Sequence, residues 1–366
     1  MSRRVEDNLF RMHRADELMQ RAIGLTEATR PHPNPRVGAI VMNPAGEVLS
    51  ERAHLEAGAE HAEAAALAQA GSDARGSTLI VTLEPCAHHG RTPPCVQAVI
   101  EAGVERVVVG ALDPDPRVAG QGIAQLRDAG IEVVTGIEEA AVVANDPGYF
   151  HHRATGRPLV TLKIAATLDG QSGAADRSSQ WITGHEARRD AHQLRAENDA
   201  VLVGIGTVIA DNPRLDVRID GYAGPQPRPV IVAGRRTIPS GAAILKRNPI
   251  VFTSRERGTA PSGRTTVISM PGADRVDIEG AVKHLGGEGV LALLIEGGPG
   301  IAGSALRAGI VDRIVFYYGA KLAVGIGLPA IAGTFQTIAD TLEVSIDRIT
   351  MLGPDLRVDA TIEKEV

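Results

Sequence analysis

A chain of 366 residues that contains only two cysteines places both directly after proline, as Pro85-Cys86 and Pro94-Cys95, with eight residues between them. Upstream stand His61 and, two positions later, Glu63. One imidazole and two thiols form a ligand set for a borderline-soft cation such as Zn²⁺, and three protein ligands leave a fourth position for water. Cys95 follows Pro93-Pro94, a good opening for a helix, and thiols at helix N-termini ionise readily, which suits metal ligation. Glu63 is the informative neighbour. Hydrolytic loss of an amine needs a group that takes a proton from water and hands it to the leaving ammonia, and a carboxylate beside the metal does that. His-x-Glu with Pro-Cys is the signature of zinc-dependent base deaminases. Buried inert cysteines and a purely structural zinc remain open, but a structural zinc has no use for Glu63.

A second group of residues lies in the C-terminal half. "EGGPGIAG" follows the apolar run "VLALLI" and opens a helical pattern, so its glycines permit close backbone approach at a helix start, where free N–H groups favour a pyrophosphate. A tight strand–helix turn would read the same way. The strand–GxGxxG–helix fingerprint is absent, since "GIGTVI" has no third glycine.

The elements that must hold these residues follow from periodicity. "RVGAIVM" and "EVLSERA" flank the turn "NPAG" and predict a hairpin. "AEHAEAAALAQAG" predicts a helix stopped by glycine, followed by the strand "STLIVTLE" and helix "CVQAVIEAGV". "RVVVGAL", "GIAQLRDAG" and "IEVVTG" then continue as strand, helix and strand, so the first domain is a layered α/β fold. "EEAAVVANDPGYFHHRATGRP" predicts a helix and then a connector, placing the boundary within 145–158, with domains of residues 1–150 and 151–366. A second α/β series starts at "LVTLKIAATLDG" and runs through "AVLVGIGTVIADNP", "RPVIVAG", "PIVFT" and "RIVFYYGAKLAV".

Composition narrows the function. Apolar residues make up 43% and charged residues 22%, as in ordinary globular proteins. No run of about 18 apolar residues appears, which argues against a membrane span. The N-terminal residues mix charges and lack an apolar signal core, so a cytoplasmic protein with reduced thiols is expected. A net charge of -6 and 3% aromatics give neither the basic face nor the stacking platform of a nucleic-acid binder.

The spacing Cys-x₈-Cys departs from the Cys-x-x-Cys of ordinary cytidine deaminases, and here a specific resemblance emerges. "HPNPRVGAIV", "HAE", "TLEPCAHHGRTPPC" and "VVVGALDPDPRVAGQG" resemble the deaminase half of the bifunctional deaminase–reductase family of riboflavin biosynthesis. "LKIAATLDG", "SSQWITG", "VLVGIGTVIADNPRLDVR" and "IEGGPGIAG" resemble its reductase half, so the likeness spans nearly the whole chain. It implies a cytidine-deaminase-like domain followed by a dihydrofolate-reductase-like domain, with zinc on His61, Cys86 and Cys95 and Glu63 as proton carrier. The implied substrate is a diaminopyrimidine bearing a phosphoribosylamino group, met by Asn34, His54, His88 and Asp113, with Arg91 at the phosphate. NADPH is implied on Ala165, Trp181, Thr207, Asp211 and the turn Gly298, Pro299, Gly300, Ile301, Ala302, Gly303 and Ser304. Ser179, Arg195, Leu215, Arg218 and Glu296 fall on the substrate of the second step, the two arginines converging on its phosphate. Lys163 and Glu296 are the candidates for ring opening and proton transfer. A homo-oligomer is expected. Two departures stand out: Asp115 occupies a position where the family usually has asparagine, and Asp216 one where it commonly has threonine.

Overall fold

The computed structural model describes residues 3–87, 94–116, 118–176, 178–256, 265–270 and 275–363, with side chains described from residue 14 onward. Two compact units divide the chain, Met1–Thr155 and Gly156–Val366.

The first unit is built on a five-stranded sheet. Helix α1 (Arg3–Gly24) leads into the hairpin β1 (Gly38–Met42) and β2 (Val48–Ala53), antiparallel in register Ile40 to Glu51. Helix α2 (Ala62–Ala70) follows, then β3 (Thr78–Leu83), α3 (Cys95–Ala102), β4 (Arg106–Ala111), α4 (Gln121–Asp128) and β5 (Glu132–Thr135). The spatial order is β2-β1-β3-β4-β5, with β1 antiparallel to β3 and the last three strands parallel. Strands β3 and β4 are buried from their second residue onward, as a parallel sheet covered on both faces requires. The carboxyl ends of β3 and β4 are therefore the open side, where α/β sheets hold ligands.

The expected connector is a helix. After α5 (Glu139–Asn145), a second helix α6 (Pro147–Thr155) begins with proline. Pro147-Gly148 reads as a breaker in sequence, yet proline at the first helical position lacks only an N–H that would have no partner anyway. Asp146 fixes this corner. Its carboxylate accepts from His32 Nε2 at 3.0 Å, from the Arg36 amide at 2.9 Å and from the Tyr149 amide at 3.4 Å. Burial works to raise the Asp146 carboxyl, but the bonds from His32 and Arg36 outweigh it and hold it below its ordinary value. A carboxylate with a depressed folded value stabilises the fold above its unfolded value, about 3.9, and that contribution disappears as pH falls through the folded value. We expect Asp146→Asn to lower the thermal midpoint near neutral pH by an amount equivalent to about 1–3 kcal/mol. The gap to wild type should close below about pH 4, as followed by thermal unfolding at stepped pH.

The second unit carries a nine-stranded sheet. It opens with β6 (Leu159–Thr167) and the short β7 (Gln171–Gly173), then α7 (His185–Ala196), β8 (Ala200–Gly204) and α8 (Ile205–Asp211). Strands β9 (Arg228–Gly234), β10 (Ile250–Thr253) and β11 (Thr266–Ser269) extend the sheet outward. The chain then returns through α9 (Ile278–Gly287) and lays β12 (Ala292–Ile295) between β6 and β8. Helix α10 (Pro299–Arg307) leads to β13 (Arg313–Gly319), the short β14 (Leu328–Pro329), and the hairpin β15 (Val344–Leu352) and β16 (Asp355–Ile362). The order is β11-β10-β9-β8-β12-β6-β13-β16-β15, parallel through β13 and antiparallel in the last two pairings. Hydrophobic cores lie on both faces, one centred on Leu162, Leu293 and Phe252, the other on Val203, Leu294 and Tyr317. The sequence patterns pointed to neither α1 nor the β15–β16 hairpin, whose outer strand is exposed along most of its length.

Candidate active sites

In the first unit, three separate elements deliver the cysteines and the histidine to one point. His61 is the residue that caps α2 at its N-terminus, Cys86 follows β3 through Pro85, and Cys95 is the first residue of α3. His61 Nδ1 lies 3.0 Å from Cys95 Sγ and 3.6 Å from Cys86 Sγ, and the Cys95 amide donates to Cys86 Sγ at 3.3 Å. All three donor atoms lie within 4.8 Å of one another. The neighbouring Cys95 thiol and amide, with His61, draw the Cys86 thiol down to about 4, whereas the Cys86 thiolate and burial push the Cys95 thiol up. One thiolate is favoured here and a second is not until a cation neutralises the pair. Soft donors converging where a second thiolate needs a cation fit Zn²⁺.

Glu63, in the first turn of α2, is only 3% exposed and hydrogen-bonded to Cys95. Burial pushes its carboxyl up to about 7. His54 stands edge-on to His61, ring centres 5.2 Å apart. Its Nδ1 faces the Glu60 carbonyl at 3.0 Å, so that nitrogen carries the proton, and Nε2 accepts from the Asn34 amide at 3.0 Å. Burial lowers the His54 pKa, consistent with a neutral ring. Asn34 is thereby oriented with its Oδ1 left as an acceptor. Asp113, at the end of β4, accepts from the Tyr149 hydroxyl and from the Asp115 amide, each at 2.9 Å. Asp115 is itself buried and serves the turn that follows, its carbonyl accepting from the amides of Val118 and Ala119. His88 and Arg91 lie outside the described residues.

In the second unit, β6 presents Lys163 and Ala165 two residues apart, hence on one face. Glu296 follows β12, and Arg195 comes from the last turn of α7. Arg195 grips Glu296 with one edge of its guanidinium, Nε to Oε1 at 2.5 Å and Nη2 to Oε2 at 2.8 Å, and its Nη1 donates to the Asp216 carbonyl at 3.2 Å. Of the two guanidiniums expected at a phosphate, Arg195 has its fork on Glu296, because a buried carboxylate needs that partner. Arg218 is the exposed one, 3.8 Å from Asp216 Oδ1. Burial lowers the Lys163 pKa against the opposing pull of Glu296, with Arg195 adding to the lowering. Its ammonium also faces the Tyr317 ring, 5.7 Å from the centre. Leu215 is buried yet held at φ 56°, a left-handed conformation that costs a non-glycine residue about 1–3 kcal/mol. Asp216 forms an ion pair with Arg214 at 2.6 Å, which an uncharged threonine could not form.

A cleft of about 310 Å³ is lined by Ser179, Trp181, Lys321 and Ile326, among others. Trp181 is exposed, with the Arg188 guanidinium 4.4 Å from its ring centre. Ser179 donates to Asp211 at 3.5 Å. The glycine turn sits at the N-terminus of α10, and the Gly298 amide donates to Thr207 Oγ1 at 3.2 Å, which ties α8 to the turn. A Cβ at Gly300 would meet nothing, and one at Gly298 only Thr207 Oγ1 at 3.6 Å. The turn thus leaves a free cradle over a helix start, which fits the pyrophosphate of a dinucleotide. Gly303 differs, since a Cβ there would run into the Ala332 carbonyl. Gly298 has an ordinary extended backbone, so Gly298→Val should fold as wild type and weaken NADPH by at least about tenfold. Gly303→Val should instead lower stability by about 1–3 kcal/mol. NADPH titration alongside thermal unfolding separates the two.

Comparison with known proteins places both halves. Residues 12–111 match the cytidine and deoxycytidylate deaminase zinc-binding region, and residues 158–357 match the RibD C-terminal domain. A riboflavin biosynthesis protein RibD from Bacillus amyloliquefaciens is 38% identical over 96% of this chain and 95% of its own. The chain belongs to the RibD family. The RibD of Aquifex aeolicus is likewise 38% identical, over 97% of this chain and 98% of its own. Among solved structures, RibD of Acinetobacter baumannii superposes with a TM-score of 0.87 at 33% identity, covering 96% of this chain and all of that one. The Thermotoga maritima diaminohydroxyphosphoribosylaminopyrimidine deaminase/5-amino-6-(5-phosphoribosylamino)uracil reductase gives 0.86 at 33% identity, with 96% and 99% covered. Family members combine a zinc-binding deaminase half with a reductase half, and this chain has both.

Several residues of these sites carried no sequence signal. Tyr149 lies in the stretch read as connector, and Tyr317 in an apolar strand. His192, which approaches Arg218 and accepts at Nδ1 from its amide, was findable: it stands three residues before Arg195 and so shares its helix face.

Proposed function

We propose that the first unit hydrolytically removes an amine from 2,5-diamino-6-(5-phosphoribosylamino)pyrimidin-4-one, and that the second reduces the ribosyl group of the product to ribityl phosphate with NADPH. The convergence of His61, Cys86 and Cys95 beside the buried Glu63 carries the first half of this reading. Zinc, when bound there, supplies the Lewis acidity that makes a water nucleophilic near neutral pH. Glu63 is placed to accept a proton at its carboxylate and to deliver it to the departing amine. Asn34 and Asp113 read the pyrimidine edge, with His54 fixing Asn34, while His88 contacts the substrate and Arg91 takes the phosphate.

The glycine turn, with Ala165, Trp181, Thr207 and Asp211, would hold NADPH, which would supply the reducing equivalents. Lys163 and Glu296 are assigned to ring opening and proton transfer, and Arg195 keeps Glu296 ionised and aimed. Ser179, Leu215 and Arg218 shape the remaining substrate pocket. No helix among the described residues is long and apolar enough to cross a membrane. The acidic net charge accords with a small-molecule substrate rather than nucleic acid. The exposed apolar residues Val344, Ile346, Ile349 and Met351 lie on the edge strand β15, and we assign a second copy of the chain to cover them.

The test couples metal analysis to a two-step assay. Ammonia release must require zinc, and NADPH oxidation must require the deaminated product. Ammonia release without bound zinc, or NADPH oxidation with the undeaminated pyrimidine alone, would refute the reading.

A further inference from the structure

Glu84 is a carboxylate that the chemistry above leaves unused. It is 4% exposed, yet no cation faces it among the described contacts. Its partners are backbone amides. Oε1 accepts from Gly122 at 2.9 Å and Ile123 at 3.4 Å, and Oε2 from Gly120 at 2.9 Å and Asp113 at 3.3 Å. Two of these amides open α4, where orphan N–H groups and the helix dipole favour a negative charge. The Glu84 amide in turn donates to the Ala111 carbonyl at 3.0 Å. A second observation concerns the same place: Gly122 packs so closely on the Pro85 carbonyl that a Cβ has no room. Pro85 joins Glu84 to the metal ligand Cys86.

We propose that Glu84 is a positioning residue that locks the Asp113–Gly122 segment, which carries the substrate contact Asp113, onto the strand end that carries Cys86. The effect on substrate rests on the deaminase reading given above. Asp113 is then held from three sides: its amide by Glu84, Oδ1 by the Asp115 amide and Oδ2 by the Tyr149 hydroxyl. A carboxylate suits the task because it only accepts, and four donors need acceptors. Glutamine keeps the shape but turns an NH₂ toward amide donors, so at least one pair loses its partner.

The test uses the full-length zinc-loaded enzyme. Glu84→Gln should raise KM for the pyrimidine between about 10- and 100-fold with a much smaller change in kcat, since displaced positioning groups act at that scale. Zinc should remain bound, and reduction of separately supplied deaminated product should be unchanged. Amide exchange at Gly120 and Gly122 should accelerate. Tyr149→Phe should also raise KM, and the double variant should raise it less than the product of the two, because both act through Asp113. Asp113→Ala provides the control. If it leaves KM unaltered, the substrate role of Asp113 fails, and the exchange rates alone then decide on Glu84. Unchanged exchange at Gly120 and Gly122 overturns the proposal, as do multiplicative KM effects or loss of zinc, which would mark Glu84 as merely structural.

Discussion

Replacing Glu63 by glutamine should leave the zinc in place and cost deamination between about 10²- and 10⁴-fold in kcat. The three donors that converge within 4.8 Å do not include Glu63, so their geometry survives the change. What is lost is the atom that accepts a proton. The site is also closed enough that bulk water makes a poor substitute, with Glu63 only 3% exposed. Glutamine matches the carboxyl in size and removes a charge from a buried position, so the fold should be no less stable. Ammonia release, metal content and NADPH oxidation with the deaminated product separate the roles. Loss of zinc in this variant would reassign Glu63 as a ligand, and loss of reduction as well would mean that the fold had failed.

The second large effect is expected in the other unit. Arg195→Ala removes both bonds that Glu296 receives from a guanidinium and leaves a nearly buried carboxylate with the weaker pull of Lys163. Breaking one side of a buried pair costs about 3–5 kcal/mol. Reduction should be lost almost entirely, while ammonia release should persist. The pH dependence should change sign as well. In wild type, burial raises the Glu296 carboxyl but Arg195, helped by Lys163 and His192, more than offsets it, so the folded value is depressed. That pair therefore stabilises the fold above the unfolded carboxyl value and weakens as pH falls through the folded one. Without Arg195, burial dominates and the folded value rises, so the native state holds a proton that the unfolded chain has released. Stability of the variant should then fall as pH rises through that raised value. Denaturant unfolding of wild type and variant across pH 4–8 measures this, and parallel curves would show that Arg195 does not control Glu296.

Much of the first site was legible in the sequence because its chemistry is local. Proline fixes the approach to each cysteine, and His61 and Glu63 sit within one helix start, so residue type and spacing together define the cluster. The partners of that cluster were not legible. Tyr149 reaches Asp113 across 36 positions, and nothing in "NDPGYF" advertises a hydroxyl aimed at a pocket. The same holds for Arg195, whose fork suits a phosphate by type but meets a carboxylate 101 positions away. Helix α6 was hidden by a proline that breaks helices in their interior but not at their first turn. Strand β15 lacks a buried face, so the alternation that reveals strands had nothing to follow.

The placement of β12 between β6 and β8 bears on how the chain is made. The ribosome delivers β6 and β8 long before their shared neighbour, so for more than eighty residues of synthesis the two strands present facing edges with nothing between them. The first unit, complete at Thr155, can fold in that interval, since domains fold as units in the order of synthesis. The second cannot close its sheet until Ala292–Ile295 emerges, and the glycine turn and Glu296 follow at once. Arrival of the strand that seals the core and assembly of the nucleotide cradle are thus one event on the nascent chain. A ribosome stalled before that point would hold a finished deaminase fold tethered to an open, edge-exposed partner, the kind of species that chaperones exist to shield.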